Sequence, residues 1–204
     1  MTELGISLGW SHRESLDRIV GLVRDCERNG VDACWVIDSQ MAMRDAFTLL
    51  ANLATSTDRI QIGPGVTNLV TRHETIVANG LSTLAVVAPG RILAGLGAGD
   101  SAVFPIGLKP QTIHDLRTGI VRLRRLLAGD SVEGPDGPYQ LRVSASQSPP
   151  IYLAASQPKM LALAGAVADG VIVMGPADPQ VWAAQMDHID GGARSAGRDP
   201  ITVA

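Results

Sequence analysis

Strand-length apolar runs alternate with segments of helical period along the whole of this sequence. LGISLGW (4–10) precedes RESLDRIVGLVRDCERNG (13–30), where Leu16, Ile19, Val20 and Val23 recur at the spacing of one helix face and Asn29-Gly30 supplies a stop. ACWVID (33–38) precedes DAFTLLANLATSTD (45–58), RIQIGPGVTN (59–68) precedes HETIVANGLSTLAVVA (73–88), and RILAGLGAGD (91–100) precedes TIHDLRTGIVRLRRLLAG (112–129). VEGPDGPYQL (132–141) interrupts this order, and its Asp136-Gly137 between β-prone flanks reads as a hairpin. The units resume with PPIYLAAS (149–156) and PKMLALAGAVAD (158–169), then GVIVMG (170–175) and PQVWAAQMDHIDGGARSAG (179–197), before ITVA (201–204) opens a further strand. Uniformly apolar strands separated by helices predict a parallel sheet with its outer face covered.

Two architectures satisfy that order. An open doubly wound sheet carries its glycine fingerprint after the first strand, whereas here that strand ends in Gly9-Trp10 and the glycine-rich ends belong to the third and fourth. A TIM-type (β/α)8 barrel builds its active site from the C-terminal ends of several strands, where this sequence concentrates its unusual residues. The expectation is an α/β fold, a single barrel domain over 1–204 with a hairpin excursion near 132–141. A complete barrel takes about 250 residues. The chain is therefore expected to be incomplete at its C-terminus, ending at about the seventh strand with two sheet edges exposed.

Composition narrows the partners. With 46% hydrophobic and 18% charged residues, a net charge of -3 and a pI near 5.8, the chain reads as an ordinary globular protein without the basic face of a nucleic-acid binder. RLRRLL (122–127) reads as the polar side of an amphipathic helix. Cys26 and Cys34 show neither metal-type spacing nor a disulfide framework, so no metal site is expected and a reduced cytoplasm is the simplest setting. No apolar run approaches the roughly 18 residues of a membrane span, and the start lacks the pattern of a signal peptide.

Four strand ends could carry chemistry: Asp38-Ser39-Gln40, Gly63-Pro64-Gly65-Val66-Thr67-Asn68, Gly97-Ala98-Gly99-Asp100 and Ala154-Ala155-Ser156. Singly, each has an ordinary explanation, since Gly and Pro end strands and Asp caps helices. His73 could line the same mouth or cap the following helix. His12, His114 and His188 read as surface residues, and Trp35 and Trp182 as packing residues.

Taken together, IGPGVTN, APGR followed by GLGAGD, and IYLAASQPKMLALAGAVADGVI closely resemble the bacterial-luciferase-like superfamily, in particular its F420-dependent branch that includes methylenetetrahydromethanopterin reductase. The resemblance covers essentially the whole chain. It implies a barrel that binds the deazaflavin coenzyme F420 at its mouth and transfers hydride between C5 and a small organic substrate. It also implies a non-prolyl cis peptide at Gly65–Val66. Coenzyme contacts would come from Asp38, Gly65, Val66, Thr67, Gly97, Ala98, Gly99 and Asp100, and the phosphate would sit at Ala154, Ala155 and Ser156. Asp100 is the first catalytic candidate, with Asp38 and His73 next. FMN and monooxygenase chemistry is the alternative within the superfamily, and a non-catalytic barrel fragment is the alternative outside it. Ser7 stands where methylenetetrahydromethanopterin reductase carries a functional Glu, so the same substrate is not implied. Relatives are commonly dimers, which makes the helices at 45–56 and 73–88 candidates for a homodimer contact.

Overall fold

The structure, a computed structural model, describes residues 3–143, 147–176 and 178–204. Its barrel elements run β1 (Gly5–Leu8), α1 (Leu16–Arg28), β2 (Ala33–Val36), α2 (Ala46–Ser56), β3 (Gln61–Pro64), β4 (Thr67–Asn68), α3 (Glu74–Val87) and β5 (Ala94–Gly97). A short α4 (Asp100–Val103), a 3-10 turn (Phe104–Ile106) and α5 (Ile113–Leu127) follow, then the hairpin β6 (Val132–Gly134) and β7 (Gly137–Tyr139). β8 (Ile151–Ala155), α6 (Pro158–Val167), β9 (Gly170–Val173), α7 (Pro179–Ser195) and β10 (Thr202–Val203) complete the order. Helix starts are set by local chemistry. Ser15, Asp45, Thr112 and Asp178 each accept a first-turn amide, while Gly30 at φ 87° ends α1.

The strands form two parallel sheets, β1-β2-β3 and β10-β9-β8-β5-β4. A bridge between Ile62 and Ile92 joins them, with the Ile62 amide donating to the Arg91 carbonyl at 2.8 Å and the Leu93 amide to the Ile62 carbonyl at 2.9 Å. Spatial order therefore follows chain order, the arrangement of a barrel wall. Two features depart from the sequence pattern. The run 59–68 is divided at Gly65–Val66 into β3 and β4, and the residues after Gly99 turn into α4 instead of a simple loop.

Alternation along the strands splits the protein into two interiors. Cys34, Val36, Ile62, Leu96, Ile151, Leu153 and Val171 pack outward against Leu49, Leu53, Leu81, Leu116, Ile120 and Leu123 of the helices, forming the main core. Burial pushes the Cys34 thiol up to about 12, so it behaves as a small apolar residue there. The inner face carries small residues around two aromatic rings. Trp35 and Tyr152 meet edge to face, with centroids 5.2 Å apart and planes at 66°. A Cβ on Gly95 would lie 3.0 Å from the Trp35 ring, and one on Gly170 would lie 2.3 Å from the Tyr152 ring. A cavity of about 720 Å³ adjoins this pair, bordered by residues of β1 and β10.

Trp35 is thus a packing residue, as expected from the sequence. Trp182 is not: it is 48% exposed on the first turn of α7, ahead of the stretch from Gln185 to Ala193 that the helix buries. Where α7 meets α6, backbone nearly touches backbone. A Cβ at Gly165 would fall 2.0 Å from the Ile189 carbonyl oxygen, and one at Gly192 would fall 2.0 Å from that of Ala162. Gly165→Ala and Gly192→Ala should each cost about 1–3 kcal/mol in urea unfolding, the scale of overpacking. Gly191→Ala, whose Cβ would meet only the Arg194 guanidinium at 4.0 Å, should be neutral or mildly stabilising. Equal effects at all three positions would refute this account of the helix contact.

Candidate functional site at the mouth of the barrel

The C-terminal strand ends are tied together by one guanidinium. Asp38, just beyond β2, is 5% exposed, and its carboxylate accepts from Arg72 Nε at 2.8 Å, Arg72 Nη2 at 3.1 Å and Thr67 Oγ1 at 2.7 Å. Arg72 Nη2 also donates to Asp45 Oδ2 at 2.5 Å, and the guanidinium lies 4.9 Å from the Phe47 ring centre. One side chain therefore links the end of β2, the cap of α2, β4 and the approach to α3. Burial works against ionisation of Arg72 and of Asp45. The ion pairs and hydrogen bonds outweigh it, raising the Arg72 pKa and lowering that of Asp45.

Beside this pair the chain forms a low floor. The peptide bond between Gly65 and Val66 is cis, the bond at which the resemblance places one. A Cβ on Gly65 would fall 2.5 Å from Trp35 Cβ, so only glycine lets the backbone rest on that tryptophan. A Cβ on Gly97 would lie 2.7 Å from Val66 Cγ2 and 3.9 Å from Ala154 Cβ. Val66, Gly97 and Ala154 thus adjoin one another with little side-chain height, and Trp35 lies beneath. Gly99, at φ 105° and hemmed in by Asn68 and Val103, turns the chain into α4.

Asp100, exposed, is the first residue of α4. Ser39 Oγ donates to the Ser101 carbonyl at 3.3 Å and Gln40 Nε2 to the Ala102 carbonyl at 2.8 Å, holding α4 against the loop after β2. Ala98 accepts from the Gln111 amide at 3.0 Å. On the far side, Ala155 is buried and Ser156 exposed, and α6 starts after Gln157, whose side chain makes no cap bond. Pro158 has no amide hydrogen, and the Met160 and Leu161 amides both donate to the Gln157 carbonyl at 2.9 Å, which leaves the amides of Ser156, Gln157 and Lys159 to face an anion. A flat ring with a phosphate therefore fits these residues, the ring on the floor and the phosphate at the start of α6.

His73 is placed differently. Its Nδ1 accepts from the Thr75 amide at 3.3 Å as the cap of α3, and its Nε2 lies 3.3 Å from Glu74 Oε2. It lines a surface pocket of about 330 Å³ with His114 and Arg122, between α3 and α5. The structure groups Asp38, Gly65, Val66, Thr67, Gly97, Ala98, Gly99 and Ala154, sets Asp100 on their rim, and turns His73 toward the outer helices. Sequence reasoning missed Arg72; Asn68, the last residue of the strand end singled out from the sequence, is buried, and its Oδ1 accepts from the Val70 and Thr71 amides at 3.0 and 2.9 Å. The one available signal for Arg72 was that an Asp at a buried strand end needs a counter-charge.

Such a parallel α/β barrel wall, with its unusual residues at the C-terminal strand ends, belongs to the class of TIM-type barrel proteins. Residues 2–204 match the family model described as luciferase-like monooxygenase. The chain belongs to that family. It is 34% identical over 193 residues to a 5,10-methylenetetrahydromethanopterin reductase of Methanolobus tindarius, covering 91% of this chain and 58% of the relative. It is 31% identical to an F420-dependent hydroxymycolic acid dehydrogenase of Mycobacterium tuberculosis, covering 98% of this chain and 60% of the relative. The solved coenzyme F420-dependent tetrahydromethanopterin reductase of Methanopyrus kandleri superposes with a TM-score of 0.87 at 27% identity, over 98% of this chain and 64% of that one. The chain thus spans less than two thirds of the length of each.

Removing Arg72 leaves the Asp38 carboxylate buried without its partner, so Arg72→Met should lose about 3–5 kcal/mol of unfolding free energy. Asp45 and Glu74 both hold their protons less tightly in the fold than in the unfolded chain. For Glu74, burial opposes ionisation, but its own amide, Tyr139, His73 and Arg122 outweigh it. Their stabilisation is complete above the unfolded carboxyl values and lost as pH falls through the folded ones. Urea midpoints should therefore drop below about pH 4, and drop less steeply in Asp45→Asn. A midpoint flat from neutral pH down to pH 3 would contradict the assignment.

Proposed function

We propose that this protein is an F420-dependent oxidoreductase, transferring hydride between the deazaflavin C5 and a small organic substrate. The carrying observation is the floor of Val66, Gly97 and Ala154 beside the uncapped start of α6, in a chain about 30% identical to relatives named as F420-dependent. When bound, the coenzyme supplies a hydride donor or acceptor at C5. The residues of this chain do the rest. Val66, Gly97 and Ala154 give the ring one face to lie on and leave the other to the substrate. Thr67 and Arg72 keep Asp38 fixed as an acceptor behind that floor.

Asp100 is the residue that holds or moves a proton in this reading. Asp38 is engaged on both oxygens and His73 caps α3, whereas the Asp100 carboxylate makes no side-chain hydrogen bond among the described residues. The same reading has the protein act in the cytoplasm as a homodimer, with Ile76, Val86 and Val87 of α3 as the exposed apolar surface for the contact.

Titration with F420 and with FMN checks the cofactor: F420 should bind, and FMN should fail to displace it. Asp100→Asn keeps the shape of the side chain and removes its charge. It should lower hydride transfer by about 10²-fold, the scale on which a positioned acid or base contributes, with F420 affinity nearly unchanged. Tight FMN binding without F420 binding would overturn the cofactor assignment, and normal turnover in Asp100→Asn would overturn the role of Asp100.

A further inference from the structure

A groove of about 620 Å³ runs along α6, between α5 and α7. Its walls are low, with Ala162 and Ala166 one turn apart on α6 and Gly191 facing them from α7. Lys159 and Ala166 set its extent along α6 at about 10 Å, from the helical rise per residue. Ile113 of α5, 37% exposed, adds an apolar side chain. Packing explains one of the two adjacent glycines of α7 and not the other. Gly192 is pressed against the Ala162 carbonyl, whereas a Cβ at Gly191 would meet only Arg194 Nη2, at 4.0 Å. Glycine inside a helix is destabilising, and what its missing side chain leaves here is room in the groove.

Charge in the groove is unbalanced. Arg117 of α5 and Lys159 of the first turn of α6 both border it with exposed side chains. Among the described residues, neither lies within ion-pair distance of a carboxylate. Asp187 is the one carboxylate in the lining, and His188 beside it adds an imidazole. Arg117 and Lys159 therefore exceed Asp187 by one positive charge, which a monoanion answers. Guanidinium and ammonium groups hold a carboxylate through charge-assisted hydrogen bonds. The low walls of alanine and glycine leave space for a hydrocarbon chain, which gains by leaving water.

We infer that the α6 groove is a second binding site, outside the mouth, for an aliphatic carboxylate, with the carboxylate at Arg117 and Lys159 and the chain along Ala162, Ala166 and Gly191. Ligand-observed NMR on the full chain tests it with octanoate, whose extended chain matches the groove, and with octanamide as the uncharged counterpart. Octanoate should bind about tenfold more tightly than octanamide. Arg117→Gln and Lys159→Gln should each remove most of that difference and leave octanamide binding unchanged. Asp187→Asn removes the opposing charge and should tighten octanoate about threefold. Gly191→Leu fills the groove and should abolish binding of both probes, with a thermal midpoint equal to or above that of the wild type.

No octanoate binding to the wild type, octanamide binding as tightly as octanoate, or octanoate affinity indifferent to both Gln substitutions would overturn the inference. Octanoate binding that survives in Gly191→Leu would put the ligand elsewhere on the protein and overturn the site. If Gly191→Leu melts early, the two Gln variants, changed only at exposed side chains, decide the location. Octyl phosphate bound more tightly than octanoate would overturn the choice of a carboxylate. A wild-type dimer that becomes monomeric in Gly191→Leu by light scattering would make the groove a contact between copies, and would also overturn the inference.

Discussion

The Asp38–Arg72 ion pair is the constraint on which the mouth depends. A carboxylate 5% exposed is tolerable only with a partner, and the partner here is a planar guanidinium that meets both of its oxygens. Arg72 could not serve a distant Asp38 unless the chain after β4 were folded back, and Asn68 does that by accepting the amides of Val70 and Thr71. Thr67 completes the arrangement by donating from the residue directly after Val66. Position at the floor is thus set by polar contacts behind it. The floor itself stays free of charge.

Glycine makes the second half of the arrangement. On the inner face of the wall, Gly63, Gly65, Gly95 and Gly170 surrender side-chain volume to Trp35, Tyr152 and neighbouring backbone. Two large rings support the mouth from below, where four mid-sized side chains would have held the strands apart. The outward face follows the opposite rule, with branched residues filling the layer between sheet and helices. A substitution adding a Cβ at these inner-face glycines therefore displaces the floor.

Periodicity made the barrel order legible. Strand-length apolar runs and helical spacing place each barrel strand and long helix, and Asp136-Gly137 marks the hairpin. The site was legible only in part. The glycine-rich ends announce a close backbone approach, but nothing local in TRHET says that Arg72 reaches back to Asp38, because the contact spans 34 residues and is fixed by tertiary folding. Likewise His73 could be read from sequence as a mouth residue or a cap, and only the geometry of Thr75 and Glu74 chooses the cap. Trp182 misled for a related reason. Its spacing matches Ile189, but the packed part of α7 begins three residues later. The turn of Asp100 into α4 was hidden too, since a four-residue helix is too short to leave a periodic signal.

A crystal structure of the protein with F420 is the most direct measurement of the central claim, that the low floor and the α6 start together hold a flat phosphorylated coenzyme. The account predicts the ring in contact with Val66 and Ala154, and the phosphate on the amides of Ser156, Gln157 and Lys159. A ring lodged instead in the lumen cavity beside Trp35 and Tyr152, or a phosphate held on the outer helices, would contradict it.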